Sequence, residues 1–247
     1  MTLAVAGLAK SFGGVQAVGG VSFAVAEGEM LALIGPNGAG KSTCFNMIGG
    51  QLRPDAGRVT LAGADVTGAR PGRLARLGVG RTFQVTETFA SMTVRENVQT
   101  ALLAHQRRIW RFARPLAAQQ EEAALRLLDQ VGLAAQSARA AGVLAYGDVK
   151  RLELAMALAA APRLLLMDEP TAGMAAAERA ALMALVRRLA TAQRLAVLFT
   201  EHDMEAVFGV ADRIIVLNRG RLIAEGDPEA IRADPLVREV YLGGGFA

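Results

Sequence analysis

A glycine-rich loop between a predicted strand and a predicted helix constrains this chain more than any other feature. The loop covers residues 35–43 and follows the apolar run at 30–34, which is typical of a buried strand. Residues 44–48 continue from it as a predicted helix. Glycines allow successive backbone N–H groups to curl around an anion, and a helix N-terminus adds further donors and a positive dipole end. The stretch is therefore predicted to bind the phosphates of a nucleoside triphosphate.

The loop contains each residue type that this chemistry needs. The residues predicted to contact the nucleotide are Gly35, Pro36, Asn37, Gly38, Ala39, Gly40, Lys41, Ser42 and Thr43. Lys41 supplies a point charge for the outer phosphates, and the Ser42 hydroxyl is placed to ligate Mg²⁺. The alternative is a glycine-rich turn without a ligand. It requires a chance match to the whole pattern in a chain with only three lysines among its 27 basic residues.

Length and composition limit the remaining possibilities. The 247 residues are enough for one large domain or two small ones, and the 52% hydrophobic content is ample for a core. No uninterrupted apolar stretch approaches the roughly 18–20 residues that span a bilayer, and no secretory signal is visible. A single cysteine, Cys44, excludes an internal disulfide and fits a reducing compartment. The net charge of +4 permits nucleic acid or an anionic membrane surface as a partner without indicating either.

Two later strands are predicted to end in side chains suited to phosphate chemistry. The apolar run from residue 163 ends at Asp168 and Glu169. In a chain with a phosphate loop, this pair favours a Mg²⁺-holding acid and a general base over a helix-capping pair. His202 follows the strand expected at 195–200. A lone histidine is more often structural, but ligands of parallel sheets gather at strand ends, where His202 can contact the γ-phosphate.

Two other residues mark points where the pattern changes. Phe12 lies in the first predicted hairpin, between strands expected at 2–5 and 15–25. Its ring can stack on a nucleotide base or fill a small hydrophobic plug under the hairpin, and the sequence favours neither interpretation. Gln84 ends a strand expected at 77–84, after which the pattern becomes helical up to residue 160.

An arginine-rich segment connects two of the predicted helices. Its basic residues alternate with two aromatic side chains, Trp110 and Phe112. The basic residues are Arg107, Arg108, Arg111 and Arg114. Such a pattern can bind nucleic acid or lie at a membrane interface, and a solvated loop with two partly buried aromatic side chains fits equally well.

The order of predicted elements indicates an α/β fold into which a helical lobe is inserted. A β-rich beginning is expected at 1–84, a helical lobe at 85–160, and a return to alternating strands and helices at 161–247. Within the lobe, helices are predicted at 94–104, 119–131 and 149–161. The turn at 144–148, which precedes the last of these helices, contains Gly147 and is a second potential anion site.

The order of these motifs resembles that of the ATP-binding subunits of ABC transporters over essentially the whole chain. Residues 35–43 resemble the Walker A loop, and residues 164–169 resemble the Walker B strand with its catalytic glutamate. Gln84 resembles the Q-loop glutamine, His202 the switch histidine and Phe12 the A-loop aromatic residue. The resemblance implies a P-loop ATPase core with an N-terminal antiparallel β subdomain and an inserted α-helical lobe.

Residues 144–148 lie where the family's Leu-Ser-Gly-Gly-Gln signature belongs, but they depart from it. Ala145 replaces the serine, Tyr146 a glycine and Asp148 the glutamine, and the D-loop position at 172–175 has no aspartate. The Leu-Ala-Tyr-Gly signature and the Val-Tyr-Leu-Gly stretch at 240–243 resemble importers of branched-chain amino acids and related polar substrates. The lipopolysaccharide-export ATPase is a close relative that is expected to keep a more standard signature.

The resemblance implies a Mg²⁺-dependent ATPase whose cofactors are ATP and Mg²⁺. The implied catalytic residues are Glu169, His202, Gln84 and Lys41. The implied magnesium ligands are Ser42, Gln84 and Asp168. Phe12 is expected to contact the nucleotide within its own subunit, and Ala145, Tyr146 and Gly147 are expected to contact it from the opposite subunit.

The resemblance also implies partners and a location. The expected partners are an integral-membrane permease, a second ATP-binding subunit and, indirectly, a periplasmic solute-binding protein. The expected location is the cytoplasmic face of the inner membrane. Two alternatives remain, a subunit of a lipid or lipopolysaccharide exporter and an ATP-switched protein that acts on DNA or ribosomes. Nucleic acid is not expected, because such proteins usually carry two ATPase domains or a long coiled-coil insertion.

Overall fold

The computed structural model of the chain describes residues 1–82, 88–105 and 120–242. The first sheet has four antiparallel strands in the order β2-β1-β4-β5. These strands are β1 (Leu3–Phe12), β2 (Val15–Val25), β4 (Ala56–Leu61) and β5 (Ala64–Asp65). β1 pairs with β2 from Leu3–Val25 to Phe12–Val15, so the first two strands form one long hairpin.

The second sheet has six strands in the order β10-β9-β3-β8-β7-β6. These strands are β3 (Met30–Ile34), β6 (Val79–Thr82), β7 (Leu164–Asp168), β8 (Ala196–Thr200), β9 (Arg213–Asn218) and β10 (Arg221–Gly226). All neighbouring pairs are parallel except β10, which runs antiparallel to β9. The carboxyl ends of β3, β7 and β8 therefore lie at the same edge of the sheet.

The six-stranded sheet is covered on both faces. Side chains of β3 alternate, with Met30 and Ile34 in one hydrophobic cluster and Leu31 and Leu33 in the other. The first cluster includes apolar residues of the helical segment, and the second includes apolar residues of the antiparallel sheet. Coverage on both faces explains why β3 reads as a continuous apolar run rather than as an alternating one.

Nine α-helices occur in the described part of the chain. They are α1 (Lys41–Ile48), α2 (Pro71–Arg76), α3 (Val94–His105), α4 (Glu121–Gln130), α5 (Tyr146–Leu158), α6 (Ala176–Gln193), α7 (Met204–Val210), α8 (Pro228–Ala233) and α9 (Pro235–Leu242). α3, α4 and α5 lie between β6 and β7 in sequence and pack on one another through residues such as Val98, Leu128 and Leu152. Within the described ranges, no helix combines the length and apolar character needed to cross a membrane.

The predicted α/β fold with an inserted helical segment is confirmed. Two local elements differ from the sequence-based prediction. β1 continues to Phe12, whereas the sequence predicted a strand only to residue 5. The expected turn at 144–148 is largely helical, because the backbone N–H groups of Asp148 and Val149 both donate to the Ala145 carbonyl oxygen at 3.0 Å. Tyr146, Gly147 and Asp148 therefore form the first turn of α5, with Ala145 as its N-cap.

Candidate active site

The phosphate loop connects β3 directly to α1. Gly40 is the N-cap of α1 with a φ of 99°, and a Cβ atom there would lie 2.3 Å from the Ala17 carbonyl oxygen. A Cβ atom on Gly35 would lie 2.2 Å from the Leu217 carbonyl oxygen. Both positions require glycine, because the neighbouring backbone approaches the loop too closely for a side chain.

Several residues of the loop are accessible to solvent. The predicted contact residues range from exposed (Asn37, Gly38, Ser42) through half-buried (Pro36, Thr43) to buried (Ala39). The first helical hydrogen bond of α1 runs from the Cys44 N–H to the Gly40 carbonyl oxygen at 2.9 Å. The N–H groups of the preceding residues therefore point out of the helix N-terminus, where they favour an anion.

Lys41 lies in the centre of the loop with only 7% of its surface exposed. Its Nζ donates to the carbonyl oxygen of Gly35 at 2.6 Å and to that of Pro36 at 3.1 Å. Burial lowers the pKa of the Lys41 ammonium group, and the negative charges of Glu169 and Asp168 oppose this change. The buried cation is thus held by groups that phosphate oxygens can replace.

Asp168 ends β7 beside the end of β8. Thr200 donates its hydroxyl hydrogen to Asp168 Oδ1 at 2.7 Å, and the Arg81 guanidinium lies 3.7 Å from Oδ2. The Thr200 hydroxyl oxygen also accepts a hydrogen bond from the Glu169 N–H at 3.1 Å. Thr200 therefore fixes the two acidic residues relative to each other. The next helix, α6, has Ala175 as its N-cap, so the interpretation of Asp168 and Glu169 as a helix-capping pair is wrong.

Glu169 and His202 are brought together across the strand ends. Glu169 Oε1 lies 2.7 Å from His202 Nε2, and half of the His202 side chain is exposed. Glu169 has a backbone φ of 48°, a left-handed conformation that residues other than glycine rarely adopt. Such backbone outliers concentrate at functional sites, where the surrounding structure holds a side chain in a required direction.

The residues of this edge fit a magnesium ion bound together with a nucleotide. Ser42 is an exposed residue, and the Asp168 carboxylate is close enough to Lys41 to affect its pKa. Both side chains offer oxygen atoms as metal ligands. Mg²⁺ prefers oxygen ligands and is usually held by one or two carboxylates plus phosphates and water. The described residues contain no cluster of three or more acidic, histidine or cysteine side chains that could hold a metal.

Sequence reasoning assigned no role to Glu201, whose carboxylate connects Thr171 with the backbone of His202. Its side chain is buried, with 3% of the residue exposed. Oε1 accepts from the Thr171 N–H at 2.9 Å and from the Thr171 hydroxyl at 2.7 Å, and Oε2 accepts from the His202 N–H at 3.2 Å. A charged residue directly after an apolar strand was the available signal, but its partner lies 30 residues away.

Tyr241 in α9 was noted only as part of a terminal motif, and the structure places it against the phosphate loop. Its hydroxyl oxygen accepts a hydrogen bond from the Gly35 N–H. Burial raises the pKa of the Tyr241 hydroxyl to about 12, whereas the hydrogen bond from Gly35 acts in the opposite direction. The C-terminal helix is thus in direct contact with the loop that was predicted to bind phosphate.

Two more predicted residues have different outcomes. Phe12 is 49% exposed and its ring lies 5.7 Å from Lys10 Nζ, so the interpretation as a buried plug is wrong. Stacking of Phe12 on a nucleotide base stays a prediction. Gln84 and the arginine-rich segment, Arg107 to Arg114, lie outside the described residues.

Comparison with known proteins decides the family. A family model described as "ABC transporter" matches residues 18–172, which is more than half of the chain and includes the phosphate loop, Asp168 and Glu169. The chain belongs to the ABC transporter family. A second model, "Branched-chain amino acid ATP-binding cassette transporter", matches residues 221–247 of this ABC protein, a stretch that contains α8 and α9.

Full-length relatives agree with both models. The branched-chain amino acid transport ATP-binding protein BraF of Pseudomonas aeruginosa is 40% identical, with 98% of this chain and 97% of BraF covered. LivG of Salmonella typhimurium, which carries the same description, is 41% identical over the same shares of both chains. Escherichia coli LivG is 39% identical, again with 98% and 97% covered.

Solved ABC cassettes share the architecture. The nucleotide-free cassette of an ABC transporter superposes with a TM-score of 0.86 and 33% identity, covering 97% of this chain and 98% of the other. The ADP conformation of MJ1267 gives a TM-score of 0.87 at 33% identity, with 98% of each chain covered. The fold of this ABC ATPase is therefore that of an ATP-binding cassette.

The signature residues of this ABC ATPase contact the D-loop position within the same chain. Tyr146 is 44% exposed, and its hydroxyl donates to the Ala172 carbonyl oxygen at 3.0 Å. The Asp148 carboxylate accepts a hydrogen bond from Gln136 Nε2 at 2.7 Å. The described hydrogen bonds of Tyr146 and Asp148 thus lead away from the phosphate loop of their own chain.

Proposed function

We propose that this chain is the ATP-hydrolysing subunit of an importer, in which closure of two ATP-binding subunits is coupled to uptake of branched-chain or related amino acids. One observation carries the catalytic part: Lys41, Asp168, Glu169 and His202 meet at one edge of the sheet. The substrate class is supported by the second family model and by the descriptions of the relatives.

Each side chain at this edge has a role that its surroundings allow. Lys41 exchanges its carbonyl partners, Gly35 and Pro36, for oxygens of the outer phosphates. Ser42 and Asp168 would hold Mg²⁺, with Gln84 as a third ligand, and the ion would supply charge neutralisation for the phosphates.

Glu169 and His202 act on the reacting groups. Glu169 orients the attacking water and accepts its proton. Its carboxylate lies close to Lys41 of the phosphate loop and can act as a general base there. His202, now bonded to Glu169, is released to contact the γ-phosphate. Phe12 stacks on the adenine base, for which its exposed ring is available.

A second subunit completes the site. Ala145, Tyr146 and Gly147 of one subunit approach the nucleotide of the other, and the exposure of Tyr146 leaves that surface accessible. The exposed phosphate loop and the start of α5 are the two surfaces that such a dimer would join. The proposed domain organisation has three parts. They are the β-rich core at residues 1–84, the helical lobe at 85–160 and the remainder of the core at 161–247.

The proposed assembly has three further parts. An integral-membrane permease receives the closing motion through the joint at Gln84, and a periplasmic solute-binding protein delivers the substrate to the permease. The chain then lies at the cytoplasmic face of the inner membrane. The arginine-rich segment faces the membrane, since attraction to an anionic lipid surface contributes roughly 1 kcal/mol per basic residue. Nucleic acid is not a partner.

The ATPase assignment is tested by Lys41→Ala. Removing the charge on the transferring phosphates should lower ATP turnover by more than about 100-fold. Arg221→Ala, which removes an exposed cation from β10, is the matched control and should keep normal turnover. Circular dichroism establishes that both variants are folded. A folded Lys41→Ala variant with the turnover of the unsubstituted protein would contradict the assignment.

The transport assignment is tested in the native host. Uptake of labelled leucine, isoleucine and valine should fall when the gene is replaced by the Lys41→Ala version, and the Arg221→Ala version should restore it. Affinity purification from detergent-solubilised membranes should recover a permease. Recovery of nucleic acid or ribosomes would favour the ATP-switched alternative, and loss of lipopolysaccharide export with normal uptake would favour the exporter.

A further inference from the structure

A cavity of about 330 Å³ lies between α7, α8 and α9, beside the ATPase site. Its apolar lining consists of Met204, Phe208, Ile231 and Val237. Ile231 and Val237 are buried, so the base of the cavity is apolar. The volume lies at the lower end of the roughly 300–1,000 Å³ that is usual for pockets that bind small molecules.

Two arginines give the cavity a positive rim. Arg232 lies on the Phe208 ring, with 4.5 Å from the guanidinium carbon to the ring centroid. Arg238 donates its Nε hydrogen to the Arg232 carbonyl oxygen at 3.0 Å. None of the ion pairs found among the described residues involves Arg232 or Arg238. A guanidinium group whose position is fixed by stacking or by a hydrogen bond is well placed to bind both oxygens of a carboxylate.

We propose that this cavity binds a small carboxylate with an apolar tail. The tail would be buried against Ile231 and Val237, and the carboxylate would pair with Arg232 and Arg238. A fully polar anion would leave the apolar lining unused, and a neutral apolar molecule would leave the two cations unpaired. This inference goes beyond the proposed transport function and does not depend on it.

The cavity is connected to the ATPase site by one hydrogen bond and by one short chain segment. The ring of Tyr241 forms part of its wall, and the Tyr241 hydroxyl accepts the hydrogen bond from Gly35 of the phosphate loop. Met204 is the first residue of α7 and lies two positions after His202. We therefore expect a bound carboxylate to change nucleotide affinity, and linkage then requires the nucleotide to change carboxylate affinity by the same factor.

Binding is measured by isothermal titration calorimetry on the whole chain, with isocaproate as the probe. Isocaproamide has the same tail without the charge, and acetate has the charge without the tail. Both should bind at least about tenfold more weakly than isocaproate, because each loses one of the two interactions. Equal binding of isocaproate and isocaproamide, or the absence of any isocaproate binding, would overturn the proposal.

Variants locate the site. Arg232→Gln combined with Arg238→Gln should weaken isocaproate binding by at least about tenfold, whereas the matched control Arg221→Gln should not change it. Unchanged binding by the folded double variant would overturn the assignment. Deletion of residues 243–247 should also leave affinity unchanged. If only the shortened chain binds isocaproate, the cavity is occupied by the chain's own end, and the proposal fails.

The coupling has its own test. Saturating isocaproate should change the dissociation constant for MgADP by at least about twofold, and MgADP should change that for isocaproate by the same factor. Tyr241→Phe keeps the ring but removes the acceptor of the Gly35 hydrogen bond. This variant should bind isocaproate and lose the coupling. Coupling that is absent in the unsubstituted chain, or that survives in Tyr241→Phe, would overturn this part of the proposal.

Discussion

Glu169 illustrates how one residue can combine an unfavourable backbone conformation with a functional position. Its left-handed φ of 48° is of a kind that costs of the order of 1–3 kcal/mol in a residue other than glycine. Two hydrogen bonds to Thr200 maintain it, one from the Glu169 N–H to the Thr200 carbonyl oxygen and one to its hydroxyl, both at 3.1 Å. The same conformation directs the carboxylate to His202.

Glu201 is the residue at which stability and catalysis can be separated. Glu201→Ala leaves the N–H and hydroxyl of Thr171 without their buried acceptor, which should lower the free energy of unfolding by about 2–4 kcal/mol. Glu201→Gln keeps an oxygen for Thr171 but presents an amide to the His202 N–H. Chemical denaturation should therefore show a smaller loss for glutamine than for alanine.

Enzyme kinetics then show whether Glu201 positions His202. The glutamine variant should have a lower kcat with little change in KM for ATP, because His202 is displaced while the phosphate loop is intact. Glu205→Gln, an exposed substitution four residues further along, serves as the control. A glutamine variant with normal kcat would limit Glu201 to a structural role.

At the scale of elements, the sequence predicts those whose pattern is local. The apolar run of β3, the glycines before α1 and the carboxylates at the end of β7 were visible because neighbouring residues define them. α2 and α7 were missed because six or seven residues are too few to establish a helical period. Contacts between distant residues were missed for a different reason: Tyr241 and Gly35 are 206 positions apart, and no local pattern records their pairing.

The C-terminal helix α9 should support the phosphate loop through a single hydrogen bond. Tyr241→Phe removes the acceptor of the Gly35 N–H, and a buried donor without a partner costs about 1–3 kcal/mol. We expect a lower free energy of unfolding and a several-fold weaker affinity for MgADP, measured by calorimetry. Leu236→Ala changes an exposed residue of the same helix and is the control. Equal affinities would mean that α9 does not act on the loop.

The start of helix α5 should be stabilised by the serine that the family signature would place there. Ala145 is the N-cap, with extended φ and ψ of −63° and 151° and no side-chain hydrogen bond to the helix. Serine is a preferred N-cap, and exchange between serine and alanine at such positions changes stability by about 0.5–2 kcal/mol. Ala145→Ser should therefore raise the melting temperature without nucleotide. An unchanged value would contradict the N-cap geometry.

At the scale of the whole molecule, the signature residues and the residues at the sheet edge make separate hydrogen bonds within the chain. The signature turn hydrogen-bonds to the D-loop position and to the helical lobe of its own chain, through Ala172 and Gln136. Glu169 and His202, the proposed catalytic carboxylate and switch histidine, lie at the edge of the sheet. In the proposed dimer, the signature residues of one subunit would meet the phosphate loop of the other, so we expect nucleotide binding and assembly to be coupled.

Glu169→Gln should separate ATP binding from ATP cleavage. Glutamine cannot take a proton from water, so turnover should fall by roughly 100- to 10,000-fold while MgATP still binds. Light scattering coupled to size exclusion should then detect a dimer that depends on ATP. Glu205→Gln is the matched control and should hydrolyse ATP normally. A variant that binds MgATP but stays monomeric at all concentrations would require a different ATP-binding subunit as the partner.

The dimer formed by Glu169→Gln should be weak, because Ala145 cannot contribute the hydroxyl that a serine would donate to the γ-phosphate across the interface. A hydrogen bond to a charged group contributes about 1.5–3 kcal/mol, which corresponds to roughly a 10- to 150-fold change in dimer affinity. Adding Ala145→Ser to Glu169→Gln should strengthen ATP-dependent dimerisation by an amount in this range. The N-cap effect stabilises the subunit with or without ATP, so only the ATP-dependent part reports the new contact. Unchanged dimer affinity would mean that Ala145 does not face the nucleotide of the opposite subunit.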